Sequence, residues 1–437
     1  MRKARTVVGL AAAVAVFCAC SSSGSSSSGS QTDGREKSGS APRGLPAFYG
    51  APEPAPDVPP GTLFKSEKVP PLEQHGSAPP LRGTAYRVMY ASRSLQDKPV
   101  VVTGIVIVPE RPAPAGGRPV VTWAHGSSGL ADRCAPSISL VAAPQPANAL
   151  LDRGWVVAAT DYVGQGTPGV MPYLAGVSAA RNTIDIVRAA RHLREAHATS
   201  DYTVWGYSQG GQAAMFALDI GASYAPELRQ RGVVAGAPPS QFRSLWSYLR
   251  TSDYSHYLLM LVVGLNAEYG EQAAPLDEIL KPTGMALVPT IRETCLSLPQ
   301  FGLVQPTKKL LLNKLKGVSI PSTFEADPFT ITKWRKILDA NDPQNLKTAT
   351  KTPLLIVHGG SDAQVPTASS QVLMKQQCAI GNHVERWVYP GQSHGSAQVG
   401  SVPDVTQWIS DRFAGGTLPD PYVPKALPGV ASTQCPA

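Results

Sequence analysis

The 437-residue chain has no Cys-x-x-Cys pair and no two histidines spaced like metal ligands. Structural zinc needs four thiolate or imidazole ligands at such spacings, so no metal is expected. His192 and His197, in "RAARHLREAH", read instead as a wet helix face. Nor is there a block of Lys or Arg: the formal charge of +8 comes from scattered residues. That excludes a dedicated nucleic-acid surface and leaves at most a mild attraction to anionic ones. No apolar run reaches the ~20 residues of a membrane span; "VVGLAAAVAVFCAC" near the N-terminus and the run 257–265 are both too short. No internal repeat appears, which excludes a solenoid.

What is present begins with Arg2, Lys3 and Arg5 ahead of that N-terminal apolar run, the pattern of an export signal over residues 1–20. Phe17-Cys18-Ala19-Cys20 resembles a bacterial lipobox, which would make Cys20 a lipidated mature N-terminus and anchor the chain at a membrane surface. Cleavage after Ala13-Val14-Ala15 would instead release it without lipid. Residues 21–60, rich in Ser, Gly, Pro and Ala, hold too little apolar content to pack and are expected to form a linker. Export puts Cys134, Cys295, Cys378 and Cys435 outside the reducing cytosol, so two disulfides are expected, with a pairing that spacing alone leaves open. At 43% hydrophobic residues, the chain can build one large α/β domain or two ordinary ones.

Past residue 60, short β-rich runs alternate with helical stretches. Strands are expected at 85–92, 100–109, 119–126, 155–162, 202–208, 232–239, 353–360 and 384–391, the first two antiparallel and the later ones apolar throughout, as strands covered on both faces are. Helices are expected over 178–196, after residue 208, and in "TASSQVLMKQQCAI" and "DVTQWISDRF". Strand followed by helix, repeated, is the signature of a mostly parallel, doubly wound sheet. Residues 240–350 break the rhythm with "SHYLLMLVVGLNAEYG", "LDEIL" and "TKKLLLNKLKG", which predict a helical cap inserted at one edge of the sheet and able to wall an acyl pocket.

The chemistry centres on "VWGYSQGGQ", where Gly206 and Gly210 flank Ser208 between an apolar strand and a helix. Such spacing marks a turn too sharp for side chains on either side of the serine, with the hydroxyl presented at the top of the sheet. A serine hydroxyl is a weak nucleophile until a base takes its proton, and the base needs an acid to orient it. In the α/β-hydrolase arrangement these follow in the order Ser, acid, His. Asp362 in "HGGSDAQVP" ends one late strand and His394 in "YPGQSHGSAQ" follows the next, so Ser208, Asp362 and His394 are the expected triad. The oxyanion is expected to meet the backbone N–H of Gln209, at a helix N-terminus, and that of Gly126 or Ser127 in "WAHGSSGLADRCAPS". Asp161 precedes Ser208, the wrong chain order for the acid, and reads as a hydrogen-bonded loop carboxylate; Glu293 and Asp253 read as solvated.

Taken together, the elbow, "HGSSG" followed by "CAPS", "DYVGQG" and the acid and base loops resemble the secretory lipase family from about residue 60 to the C-terminus. The resemblance implies an eight-stranded α/β-hydrolase core over 61–437 with a helical cap, hydrolysis of carboxylic or triacylglycerol esters and no cofactor. It also implies pairing of Cys134 with Cys295 and of Cys378 with Cys435. The chain departs from the yeast member at the oxyanion loop, where that enzyme has an acidic residue and this one has His125-Gly126. The expected partner is an ester or lipid substrate. Rival expectations are acyl transfer to an envelope alcohol or sugar, and a non-catalytic lipid-binding lipoprotein.

Overall fold

This computed structural model describes residues 39–70, 80–138, 146–296, 310–415 and 424–435. The export signal, Cys20 and the first part of the expected linker lie outside the described residues. All described residues belong to the unit Lys37–Ala437.

Ten strands form one sheet: β1 (Leu63–Lys68), β2 (Gly83–Arg93), β3 (Pro99–Pro109), β4 (Arg118–Ala124), β5 (Val156–Thr160), β6 (Ala198–Tyr207), β7 (Arg229–Gly236), β8 (Leu354–Gly359), β9 (Val384–Tyr389) and β10 (Ala431–Gln434). Their order across the sheet is β1-β2-β3-β5-β4-β6-β7-β8-β9-β10. From β5 to β9 every pairing is parallel, while β1–β2, β2–β3, β3–β5 and β9–β10 are antiparallel. The expected eight strands correspond to β2 through β9. The two additions are edge strands, "LFKSEK" and "ASTQ", which face solvent and so lack the apolar signature of a covered strand.

The inner strands alternate between two cores because successive side chains point to opposite faces. Val204, Val233, Ala235 and Ile356 meet the helices Gly176–His192 and Gln209–Tyr224 on one face. Trp205, Val234, Leu355 and Val357 meet the helices Ala147–Asp152 and Val402–Phe413 on the other. The helix expected over 178–196 ends at His192, where Leu193 turns extended, and both His192 and His197 are exposed. Between β7 and β8 the described residues contain helices and turns but no strand, among them Phe242–Leu249, His256–Tyr269 and Thr332–Ala340. These build a third core around Trp246, Leu259, Phe324 and Trp334 that also takes in Tyr173 and Leu174. Among the described residues no helix is long and apolar enough to cross a membrane.

The linker expected over 21–60 gives way to packed chain before residue 60. Phe48 and Tyr49, in a 3-10 turn, are buried against Met89 and Val101. Two aromatic residues are enough apolar surface to fix an otherwise proline-rich arm. The cysteines are joined as Cys134–Cys295 and Cys378–Cys435.

Candidate functional site

Ser208 sits at the turn between β6 and helix Gln209–Tyr224 with φ 59 and ψ −122. A residue bearing a side chain holds such angles only where its surroundings over-determine them. Here the determinants are close backbone crossings: a Cβ at Gly206 would overlap the Gly210 carbonyl, and one at Gly210 would overlap that of Ala124. The two glycines that flank the serine therefore let helix and strand ends approach to backbone contact. The Ser208 N–H donates to Gly236 O at 2.8 Å, tying the elbow to β7.

Asp362 and His394, 32 residues apart, meet with Asp362 Oδ2 accepting from His394 Nδ1 at 2.6 Å. The other carboxylate oxygen, Oδ1, accepts from the N–H groups of Gln364 at 2.8 Å and Val365 at 2.9 Å. A second histidine, unforeseen from the sequence, completes this cluster: His358 Nε2 lies 3.3 Å from Asp362 Oδ2 and 2.9 Å from Val365 O. Burial opposes ionisation of Asp362, but the hydrogen bonds from His358 and His394, with the His394 charge and the Val365 N–H, outweigh it and hold the carboxyl well below its usual range. His394 opens a short helix capped by Ser393, and its carbonyl accepts from Tyr207 Oη at 2.7 Å. The Tyr207 ring stands edge-on to the His394 ring at 5.2 Å. Since Tyr207 immediately precedes Ser208, this contact sets the imidazole beside the elbow. Among the described residues the Ser208 hydroxyl itself makes no hydrogen bond to His394, a distance that in unliganded enzymes commonly tightens only with substrate.

The oxyanion-loop candidates flank the same serine. A Cβ on Gly126 would stand 3.5 Å from Ser208 Cβ, so the loop lies directly against the elbow. Gln209 is the first residue of its helix and has a free N–H there. His125 buttresses the loop from behind, its ring nitrogens 2.6 Å from Gly126 O and 3.3 Å from Asp161 O. Desolvation pushes its pKa down to about 4 against the pull of those carbonyls, so it is a neutral structural imidazole at pH 7. Gln165, from "DYVGQG", braces the next residues with bonds from Nε2 to Ser128 Oγ at 2.9 Å and Gly129 O at 2.7 Å.

Asp161 is hydrogen-bonded as expected, and fully buried. Thr103 Oγ1 donates to Oδ2 at 2.7 Å and Ser137 N to Oδ1 at 2.9 Å, with Ser137 Oγ also on Oδ2. Burial raises it to about 6, opposed by those donors and by the Arg87 charge. Its folded pKa thus lies above the unfolded value of 3.8, so the proton it keeps stabilises the fold fully below about pH 4, and that contribution is lost as pH rises through 6. The rise from 3.8 to about 6 corresponds to on the order of 3 kcal/mol. Differential scanning fluorimetry from pH 4 to 6.5 is expected to show a falling midpoint that flattens in Asp161→Asn, with a residual slope from Asp185 and Asp342, each also raised to about 6 by burial. Glu293 and Asp253 are exposed, and among the described residues no group of three His, Cys, Asp or Glu side chains is placed to hold a metal.

Over Ser208 opens a narrow cleft. Its walls are Leu174, Phe242, Leu245, Trp246, Leu249, Leu258 and Leu261, with polar groups confined to Ser208, Tyr173, Tyr257 and Gln364. An apolar trough with a few hydroxyls at its reactive end suits a hydrocarbon chain attached to a polar head.

Known proteins place this geometry. The chain is 24% identical over 405 residues to Lipase A of Moesziomyces aphidis, covering 89% of this chain and 84% of that one. It is 24% identical over 398 residues to a Mycobacterium tuberculosis protein named as a probable inactive lipase, covering 88% and 85%. Candida antarctica lipase A in its closed state superposes with a TM-score of 0.66 at 21% identity, covering 85% of this chain and 86% of that one, and so shows the α/β-hydrolase fold. A family model described as secretory lipase matches residues 145–420, more than half of the sequence. The chain therefore belongs to the secretory lipase family.

Proposed function

We propose that this secretory lipase is an exported serine carboxylic-ester hydrolase in which Ser208 is the nucleophile, His394 the general base and Asp362 the group that orients it. His394 Nε2 takes the proton of Ser208 Oγ as that oxygen bonds to the ester carbonyl carbon. The carbonyl oxygen becomes an anion against the N–H of Gln209 and that of Gly126 or Ser127. His394 then returns the proton to the leaving alcohol, the C–O bond breaks, and an acyl group remains on Ser208. Water, deprotonated by His394, attacks this acyl-enzyme; His394 then returns the proton to Ser208 Oγ as the acyl C–O bond breaks, and the carboxylic acid is released. Asp362 keeps the imidazole proton on Nδ1, so Nε2 faces Ser208 as an acceptor, and it stabilises the imidazolium formed in each half-reaction.

The observation that carries this reading is the His394–Asp362 hydrogen bond beside a strained serine at the floor of an apolar cleft. The cleft suits acyl esters, triacylglycerols included, and no observation favours an acyl acceptor other than water or a non-catalytic carrier. The N-terminal signal supports export, and Cys20 in its lipobox supports a lipid anchor.

Treating the purified protein with a fluorophosphonate and mapping the adduct by mass spectrometry tests the assignment, with one phosphonyl group expected on Ser208. A p-nitrophenyl ester series from acetyl to palmitoyl, run on the same sample, is expected to rise beyond acetyl as the chain fills the apolar walls. No adduct at Ser208 overturns the reading.

A further inference from the structure

The reactive end of the cleft holds one hydroxyl proton that neither the triad nor the backbone donors account for. Tyr173 Oη lies 2.6 Å from Ser127 Oγ, and either oxygen can donate to the other. Two hydroxyls carry two protons, and the single bond between them uses one. Neither oxygen makes another hydrogen bond among the described residues, so the second proton has no protein acceptor among them. Tyr173 is 3% exposed and lines the cleft together with Ser208. Ser127 follows Gly126, where an added Cβ would stand 3.5 Å from Ser208 Cβ. A buried hydroxyl in the lining of a cavity that also holds a nucleophile is placed to stabilise charge developing there.

The backbone that carries Tyr173 is also held in place. Leu174 has φ 57, which turns the chain sharply after Tyr173. Helix His256–Tyr269 crosses so closely that a Cβ at Gly264 would overlap the Tyr173 backbone nitrogen. Burial pushes the phenol's pKa upward, opposed by the Ser127 hydrogen bond, so it keeps its proton at working pH.

We propose that Tyr173 is a catalytic residue, a third oxyanion donor: Ser127 O–H donates to Tyr173 Oη, and Tyr173 O–H donates to the oxygen that becomes negative in the tetrahedral intermediate. This rests on the reading of Ser208 as nucleophile. The direction follows from acidity, because a phenol gives its proton to an anion more readily than an alkyl hydroxyl does, and accepting from Ser127 polarises it further. The inserted helices then contribute to the transition state as well as to the acyl pocket, since Gly264 is on one of them.

Tyr173→Phe removes one oxygen and leaves the ring's packing intact. With p-nitrophenyl butyrate, kcat is expected to fall about 100-fold with KM within twofold, and a trifluoromethyl ketone inhibitor to weaken in parallel. A structural role would move the thermal midpoint or KM instead. Ser127→Ala leaves the phenol its proton and is expected to lower kcat less than 10-fold, which gives a second variant should the first fold poorly. A Tyr173→Phe kcat within threefold of wild type overturns the proposal, as does a larger loss in Ser127→Ala than in Tyr173→Phe. Fluorophosphonate labelling of wild type and Tyr173→Phe separates the two readings. Labelled Ser208 with undiminished turnover in the variant sinks Tyr173 alone, whereas unlabelled wild type sinks the nucleophile assignment beneath it.

Discussion

Replacing Ser208 with alanine is expected to lower kcat toward p-nitrophenyl butyrate about a million-fold, the scale seen when a triad serine is removed and only oxyanion donors and binding remain. The substitution deletes one oxygen at a residue whose φ of 59 is equally strained for either side chain, so stability is expected to change by under about 0.5 kcal/mol. Ser208→Gly separates chemistry from strain. It is expected to be equally inactive yet to melt higher, because glycine adopts the left-handed region without the penalty of about 1 kcal/mol borne by a Cβ. A steady-state assay on active-site-titrated protein and a thermal melt read both effects. Retention of even one per cent of wild-type kcat in Ser208→Ala would remove this serine from the mechanism.

Asp362→Asn is expected to lower kcat by about 10 000-fold, for a reason specific to the four donors around this carboxylate. Oδ1 accepts two backbone N–H groups and Oδ2 accepts from His394, with His358 at 3.3 Å. An asparagine has one oxygen, and the immovable backbone donors of Gln364 and Val365 claim it. Its NH2 then faces both histidines. Toward His394 it donates to Nδ1 and drives the ring proton to Nε2, so the base can no longer accept from Ser208. Toward His358 it sets donor against donor in a site sealed from water, and the thermal midpoint is expected to fall as well. The pair of readouts, kcat and midpoint, checks the account, and an Asn variant within 100-fold of wild type would show that the imidazole keeps its tautomer without the carboxylate.

The serine elbow and the strands β2 to β9 are legible in the sequence because each has a local cause: sealed strands are apolar throughout, and the elbow cannot form without its glycines. The edge strands β1 and β10 are not, since one solvated side erases the apolar signal that marks a covered strand. His358 is hidden for another reason. It stands on β8 four residues before Asp362, where strand burial and acid contact look alike until the loop folds back. Tyr173 is unreadable because its partner Ser127 lies 46 residues away and the two meet only through tertiary packing. The disulfide pairing is in the same class, and only the likeness to a known family suggests it beforehand. The burial of Tyr49 is a smaller case, an aromatic within a proline-rich arm whose docking depends on Ser137 far along the chain.

The bond between Cys134 and Cys295 closes a loop with a sequence separation of 161 residues, worth about 5 kcal/mol of lost unfolded-chain freedom. Ser208 lies inside that ring and Asp362 and His394 outside it. A protease that nicks any exposed turn between the two sulfurs therefore makes no fragments: the clipped ends stay on one molecule, held at short range to refit. An enzyme beyond the reach of intracellular repair gains from this arrangement a tolerance to cutting at the very segment that carries the serine elbow.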